Sequence, residues 1–279
     1  MKTDHALPEG TVDDAPGNGV VNLQQRREQI LAYLEQETFV RTAQLSRLLG
    51  ISEVSIRKDL DFLAQRGLVK RLHGGAQLVT EALPLLNLSS RYLQHKTAKE
   101  QIAAAAVTLV DRPGQTIYID TGTTNLLFAR LLPRELPITV VTNSLSTIAE
   151  LEGRPACRVI ALGGVVDYQH KVLTGLWTDQ LLERFNFDMV FTGADSVTPE
   201  GFGGDDLALS EILRKAISRT KASYVLADSS KITRRSPNLF AGVGEMTAWI
   251  TDSDLPPAFC AAFTTAGGHV RIAGAPVLK

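Results

Sequence analysis

The sequence offers little for covalent cross-linking, metal binding or membrane insertion. Of 279 residues only two are cysteines, Cys157 and Cys260, each alone among apolar neighbours. Neither belongs to a CxxC or Cys/His spacing, which argues against a disulfide framework and a zinc site and leaves two buried thiols. No metal or cofactor is expected. No apolar run reaches the ~18 residues that a bilayer-spanning helix needs, and the start of the chain lacks the basic-then-apolar pattern of a secretory signal. The expected location is therefore cytoplasmic. An excess of one charge is also missing: Lys and Arg number 29 against 30 Asp and Glu, a net charge of -1, so global electrostatics name no partner. GxxxxGK[ST] and GxGxxG are both absent, which removes the familiar nucleotide-binding loops.

What is present is ample core material, with 44% hydrophobic and 21% charged residues in a chain long enough for two domains. Residues 1–20 lack periodicity and read as a disordered tail. A first module spans residues 21–78. In it Ile30, Leu31 and Leu34 recur at helical spacing; "TAQLSRLLG" is a second helix with Thr42 as N-cap and Gly50 as stop; Ser52 caps a third, in which Ile56, Leu60 and Leu63 form one stripe. "LVKRLHGGAQLV" reads as a hairpin turned at Gly74 and Gly75. Periodicity lapses over residues 79–95, the expected linker. From residue 96 to 279, short apolar strands alternate with helices, which implies an α/β domain with a mainly parallel sheet covered on both faces.

Charge is local where it is not global: between Val21 and Leu78 nine Lys or Arg face six acids. Two short helices joined by "GIS" match the helix-turn-helix plan, and the hairpin supplies a wing. With Ile56 directed at the core and roughly 100° per residue, Val54, Lys58 and Asp61 point away from it, flanked by Ser55 and Arg57. Ser55 can hydrogen-bond an edge or phosphate, Arg57 can pair with guanine, Lys58 can neutralise a phosphate and Val54 can meet a thymine methyl. Lys70, Arg71 and His73 lie on the wing. The alternative is a solvated three-helix interaction module. Asp59, about 60° from Ile56 by the same rotation, suits a structural ion pair better than base contact.

In the second module the polar and glycine-rich segments fall where strands run into loops, the place where ligands bind an open parallel sheet. In "DTGTT" Gly122 allows a tight turn, Thr123 and Thr124 offer hydroxyls, and the amides of the next helix point at one spot, an arrangement that suits a phosphate monoester. Capping of the helix alone is the simpler reading of those letters. Other strand tips carry Asn143 and Ser144, Gly163 and Gly164, and Asp195. Asp120, Asn143 and Asp195 could bind sugar hydroxyls, and Lys171, Lys215 or Lys231 could add positive charge. Lys215 sits four residues after Glu211, so a surface ion pair competes with a pocket role. Asp205 and Asp206 read as a solvated loop.

Both modules resemble one family. "RREQILAYL" followed by "ISEVSIRKDLDFLAQRGLVKRLHGGA" is similar to the DNA-binding signature of the DeoR family of transcription regulators, carried by Arg26, Ile30, Leu34, Ser52, Ser55, Ile56, Arg57, Lys58, Asp59 and Leu60. The order "DTGTT", "ITVVTNS", "ALGG", "FDMVFTGAD", "GFGGDD", "SEILRKA", "VLADSSK" is similar to its sensor domain. The resemblance implies a winged helix-turn-helix joined to a sensor with a fold like that of sugar-phosphate isomerases. It implies a repressor of sugar-metabolism genes, double-stranded DNA and a phosphorylated sugar as partners, DNA contact by Arg26 and Ser52, and a dimer or tetramer. An isomerase-like enzyme with an accessory N-terminal module is the alternative, with Asp195 or Glu211 as its base.

Overall fold

A computed structural model describes residues 23–37, 39–65, 68–78, 91 and 94–274. The expected tail and most of the expected linker lie outside the described residues.

The N-terminal module holds helices α1 (Leu23–Gln36), α2 (Thr42–Leu49) and α3 (Glu53–Gln65), and strands β1 (Val40–Arg41), β2 (Val69–Leu72) and β3 (Gly75–Leu78). Ile30, Leu34, Leu45, Ile56, Leu60 and Leu63 converge in its core, each at most 2% exposed. Burial of each such side chain contributes about 1.5–3 kcal/mol. Gly50, at φ 65, ends α2 in the left-handed region. Ser52 accepts the amide of Ser55 at 3.3 Å, as an N-cap does. Thr42 is the first residue of α2 rather than its cap: Arg41 takes the cap position without a side-chain bond. The reason is β1, two residues drawn into pairing with β3 and too short to show period-two alternation. The sheet order is β1-β3-β2, and the turn between β2 and β3 uses Gly74 at φ 76.

The C-terminal module is built on β4 (Thr116–Ile119), β5 (Ile138–Thr142), β6 (Cys157–Ala161), β9 (Met189–Thr192), β12 (Ser223–Leu226), β14 (Ala248–Thr251) and β15 (Val270–Ile272). They form one sheet in the order β15-β14-β12-β9-β4-β5-β6, every pairing parallel. Two clusters of buried apolar side chains accompany it, one including Trp249, Tyr118 and Phe202, the other Phe128, Phe191 and Ile102. The order reverses between β4 and β9: the chain proceeds outward through β5 and β6, then returns to the other side of β4. Such a switch point opens a crevice at the carboxyl ends of the two strands.

Besides β15 at the sheet edge, two additions have no counterpart in the sequence reading. A hairpin, β7 (Val165–Asp167) with β8 (Val172–Thr174), follows β6. A small antiparallel sheet joins β10 (Ser196–Thr198), β11 (Gly201–Gly204) and β13 (Asn238–Gly242). The letters "GFGG" look like a loop yet form β11, because close strand approach requires glycine: a Cβ on Gly201 would lie 2.3 Å from the Ala241 carbonyl oxygen. Among the described residues, no helix is long and apolar enough to cross a membrane.

Candidate ligand pocket and DNA-reading face

The crevice at the switch point is a cavity of about 500 Å³. Asp120 reaches it from the end of β4, Gly193 and Asp195 from the end of β9, and Ala227, Ser230 and Lys231 from beyond β12. Between them begins helix α5 (Thr123–Leu131), whose first residues also line the cavity. Its N-cap, Gly122, adopts φ 117 and ψ 156, a conformation open essentially to glycine, and provides no capping side chain. The first-turn amides of a helix have no intrahelical acceptor, so here they remain available to a ligand with the favourable end of the helix dipole behind them. Thr123 and Thr124 are buried beside them, and Asn125 is fully buried with its Oδ1 lacking any hydrogen-bond partner. An unused acceptor in a pocket wall suits a ligand hydroxyl.

Two carboxylates complete this wall. Asp120 is 7% exposed. Burial pushes its pKa up to about 7, against the opposing hydrogen bonds, which include one from Thr192 Oγ1 at 3.0 Å. Asp195 accepts Arg91 Nη2 at 2.7 Å on one oxygen and the Asp205 amide at 3.1 Å on the other. Cations gather in the same cavity: Arg91, Lys99, Lys231 and Arg234 all line it. Lys99, on α4 (Lys96–Val107), is 4% exposed and burial lowers its pKa to about 8. Its Nζ donates to the carbonyls of Arg91 and Gln94 and lies 3.7 Å from Asp228 Oδ2. Burial also lowers the Lys231 pKa, the Asp228 carboxylate opposing it.

Of the residues singled out in the sequence for the effector, Asp120, Gly122, Thr123, Thr124, Asp195 and Lys231 are thus brought together. Asn143, Ser144, Gly163, Gly164, Lys171 and Lys215 are not in the cavity wall. For the first four the strand order is the reason, since β5 and β6 lie on the side of β4 away from β9 and β12. Asn143 is used internally, accepting the Tyr118 hydroxyl at 2.9 Å and donating to the Leu173 carbonyl. Ser144 caps helix α6 (Leu145–Glu150) by accepting the Thr147 amide. The Gly163 carbonyl accepts the Thr178 hydroxyl, and a Cβ on Gly164 would meet the Thr174 carbonyl oxygen at 2.3 Å. Lys171 sits at φ 56 in the β7–β8 turn, where Gln169 and His170 reach the cavity instead. Lys215 pairs with Asp179 at 3.2 Å and Glu183 at 3.8 Å, not with Glu211. Asp205 and Asp206 are more than solvated loop: Asp206 caps helix α8 (Leu207–Ser218), and Asp205 holds Arg234 at 2.9 Å.

Three pocket cations, Arg91, Lys99 and Arg234, escape the sequence reading. Lys99 left a signal: it shares a helical face with Ile102, Ala103 and Ala106, all buried, so a lysine stands in an apolar stripe. Arg91 left none, because its contact spans 104 residues of chain.

On α3, Val54 is 62% exposed, with Lys58 and Arg57 exposed beside it. Arg57 Nη2 lies 3.1 Å from Glu53 Oε2, one turn earlier. Ser52 donates its hydroxyl to Ser55 at 3.1 Å. On the wing Lys70 and His73 are exposed, while Arg71 is tied to Asp61 at 3.0 Å. Arg26 is directed differently from the expectation of DNA contact. Its Nε is 2.6 Å from Asp59, a carboxylate that Arg27 also holds at 2.9 Å, so Arg26 clamps α1 to α3. Arg27 further stacks its guanidinium 3.5 Å over the Phe62 ring.

A winged helix-turn-helix whose third helix exposes Val54, Arg57 and Lys58, followed by an α/β domain with a polar strand-tip pocket, defines a two-module transcription regulator. Comparison with known proteins agrees. Residues 26–82 match the DeoR-like helix-turn-helix domain and residues 94–253 the DeoR C terminal sensor domain. The chain belongs to the DeoR family of transcriptional regulators. It is 32% identical over 250 residues to the HTH-type transcriptional regulator GolR of Listeria innocua, covering 89% of this chain and 98% of that one. It is 30% identical to the L-fucose operon activator of Haemophilus influenzae, covering 83% and 92%. It is 27% identical to the transcriptional repressor AccR of Agrobacterium fabrum, covering 82% and 90%. Among solved structures, ribose 5-phosphate isomerase A of Methanocaldococcus jannaschii is similar at 21% identity and a TM-score of 0.35, covering 48% of this chain and 53% of that one.

Proposed function

We propose that this protein represses genes of sugar metabolism and that a phosphorylated sugar in the strand-tip pocket controls its hold on operator DNA. Residues 21–78 read the DNA, residues 96–279 sense the sugar, and residues 79–95 join them. Ser52, Val54, Ser55, Arg57, Lys58, Lys70 and His73 face the duplex, which paired half-sites and a homo-oligomer, a dimer or tetramer, would engage in register. The observation that carries the sensing claim is the composition of the cavity lining: uncapped helix amides at Gly122–Asn125 beside an unpartnered Asn125 Oδ1, with Lys99 and Lys231 in the same cavity. Amides and ammonium groups suit a phosphate, and the free acceptor with Asp120 suits sugar hydroxyls.

Sensing is favoured over turnover because the two residues nominated as a base are otherwise engaged. Both Asp195 oxygens accept hydrogen bonds, and Glu211 pairs with Arg214 at 3.5 Å on the surface. One observation supports the enzyme reading: a buried Asp120 with a pKa of about 7 is poised as a general base. A sensor leaves ribose 5-phosphate and fructose 6-phosphate chemically unchanged on long incubation. Steady isomerisation lost on Asp120→Asn would establish the enzyme. The test of sensing is a thermal-shift screen of sugar phosphates beside their unphosphorylated forms: only phosphorylated members should raise the melting temperature.

A further inference from the structure

Arg91 stands between the two segments matched to the family, residues 26–82 and 94–253, so the covalent path from pocket to DNA reader runs through it. It is held to the pocket at both ends. Its guanidinium donates to Asp195 Oδ1 at 2.7 Å, and its carbonyl accepts Lys99 Nζ at 2.9 Å. The pocket groups in these contacts are the kinds a phosphosugar uses, a carboxylate for hydroxyls and an ammonium for phosphate. Neither is idle: the second Asp195 oxygen accepts the Asp205 amide, and Lys99 Nζ also holds the Gln94 carbonyl and faces Asp228 at 3.7 Å. A ligand that engages them must therefore take over an existing contact.

We propose that Arg91 changes partner when the effector binds: its guanidinium leaves Asp195 for the effector's phosphate, and Asp195 accepts a sugar hydroxyl in its place. The inference rests on the sugar-phosphate reading above. The energetics favour the exchange. Arg91 is 46% exposed, and a half-exposed ion pair is worth little, whereas a guanidinium in a pocket can grip a phosphate through two parallel hydrogen bonds. Moving the Arg91 side chain pulls on a residue whose carbonyl is itself fastened to Lys99. Pocket occupancy thereby alters the start of the chain leading to the reader. Arg91 is a coupling residue in this scheme, and the pocket retains Lys99, Lys231 and the α5 amides to bind the ligand without it.

The test uses the full chain and a duplex enriched by the protein itself from random-sequence DNA. The probe is whichever of ribose 5-phosphate, fructose 6-phosphate, fructose 1-phosphate and glucose 6-phosphate stabilises the wild type most. Coupling in allosteric proteins is typically about 5- to 150-fold in affinity, so wild-type DNA affinity should change at least about 5-fold with the probe. Arg91→Ala, with Arg91→Gln as a second variant, should bind the probe more weakly but still show a thermal shift at saturating probe, while its DNA affinity then changes less than about 2-fold. A variant whose DNA affinity responds as the wild type does overturns the partner exchange but leaves sugar sensing intact. Loss of probe binding altogether in both variants also overturns it, since the ligand would then depend on Arg91 itself and not on the pocket formed by Lys99, Lys231 and the α5 amides. A wild type that ignores every sugar phosphate removes the reading on which the inference rests.

Discussion

Arg26 Nε and Asp59 Oδ2 lie 2.6 Å apart, and that carboxylate, 1% exposed, is held from its other side by Arg27 at 2.9 Å. An acid on a DNA-reading helix would repel phosphate if it faced the groove; here it is the buried tie between α1 and α3. Because a buried carboxylate stripped of its cations has no compensation, breaking the cluster should be costly. Arg26→Ala with Arg27→Ala should destabilise the N-terminal module by about 3 kcal/mol. Hydrogen exchange across Glu53–Gln65 during mild denaturation checks this, and unchanged protection in α3 would show that the cluster adds nothing.

Arg57 is bound to Glu53 only through an exposed pair one helical turn apart. Such pairs contribute about 0.3–0.5 kcal/mol, so Arg57→Ala should leave stability nearly unchanged. Its DNA affinity should fall, by about 1–3 kcal/mol if the guanidinium reads a guanine. Glu53→Gln should tighten DNA binding by freeing that guanidinium from a competing acid. Both follow from fluorescence anisotropy on an enriched duplex, and equal affinities for all three proteins would take Arg57 out of the interface.

Gly122 carries φ 117 at the start of α5, where a Cβ would meet nothing nearer than Asn125 Nδ2 at 3.9 Å. Space is therefore not what requires glycine; backbone conformation is. Gly122→Val should cost about 1–3 kcal/mol and, by tilting the α5 amides, abolish the thermal shift given by a sugar phosphate while DNA binding persists. Thr123→Ala should weaken the shift without the stability loss. Loss of DNA binding in either variant would assign the loop to folding.

Asp120 gives the pocket a pH dependence. Its carboxyl stays protonated in the fold up to about pH 7, whereas the unfolded chain releases that proton near the ordinary aspartate value of about 3.9. Folding thus takes up a proton between those values, so this group's contribution is most favourable at low pH, declines through that window at up to ~1.4 kcal/mol per pH unit, and levels off above it. Asp120→Asn should flatten the decline in denaturation measured from pH 5 to 8. Above about pH 7, where a phosphate monoester is already mostly dianionic, further ionisation of Asp120 should weaken effector binding in the wild type but not in Asp120→Asn.

Much of this was legible in the sequence, and the failures share a cause. Ile56, Leu60 and Leu63 announced α3 by periodicity, and the apolar runs announced β4, β5, β6, β9, β12 and β14 of the parallel sheet. Strand order was not legible. Five polar strand tips looked equivalent in the sequence, yet those of β4, β9 and β12 meet, which separates Asp120, Asp195 and Lys231 from Asn143, Ser144, Gly163 and Gly164. Arg26 likewise read as a DNA contact because its partner, Asp59, lies across a helix packing that no local pattern specifies. The "GFGG" strand was hidden because glycines that permit close backbone approach resemble glycines that permit a turn.

The central claim is that a phosphorylated sugar in this pocket controls DNA binding, and one titration tests it most directly. The full-length protein is bound to its enriched duplex at fixed salt, since phosphate contacts make affinity steeply salt-dependent. Sugar phosphates and the matching free sugars are then added in parallel. The account predicts that at least one phosphosugar shifts DNA affinity by about 5-fold or more while its unphosphorylated form does not, and that Thr123→Ala blunts the shift. Identical DNA affinity with and without every phosphosugar, or an equal response to the free sugar, would contradict it.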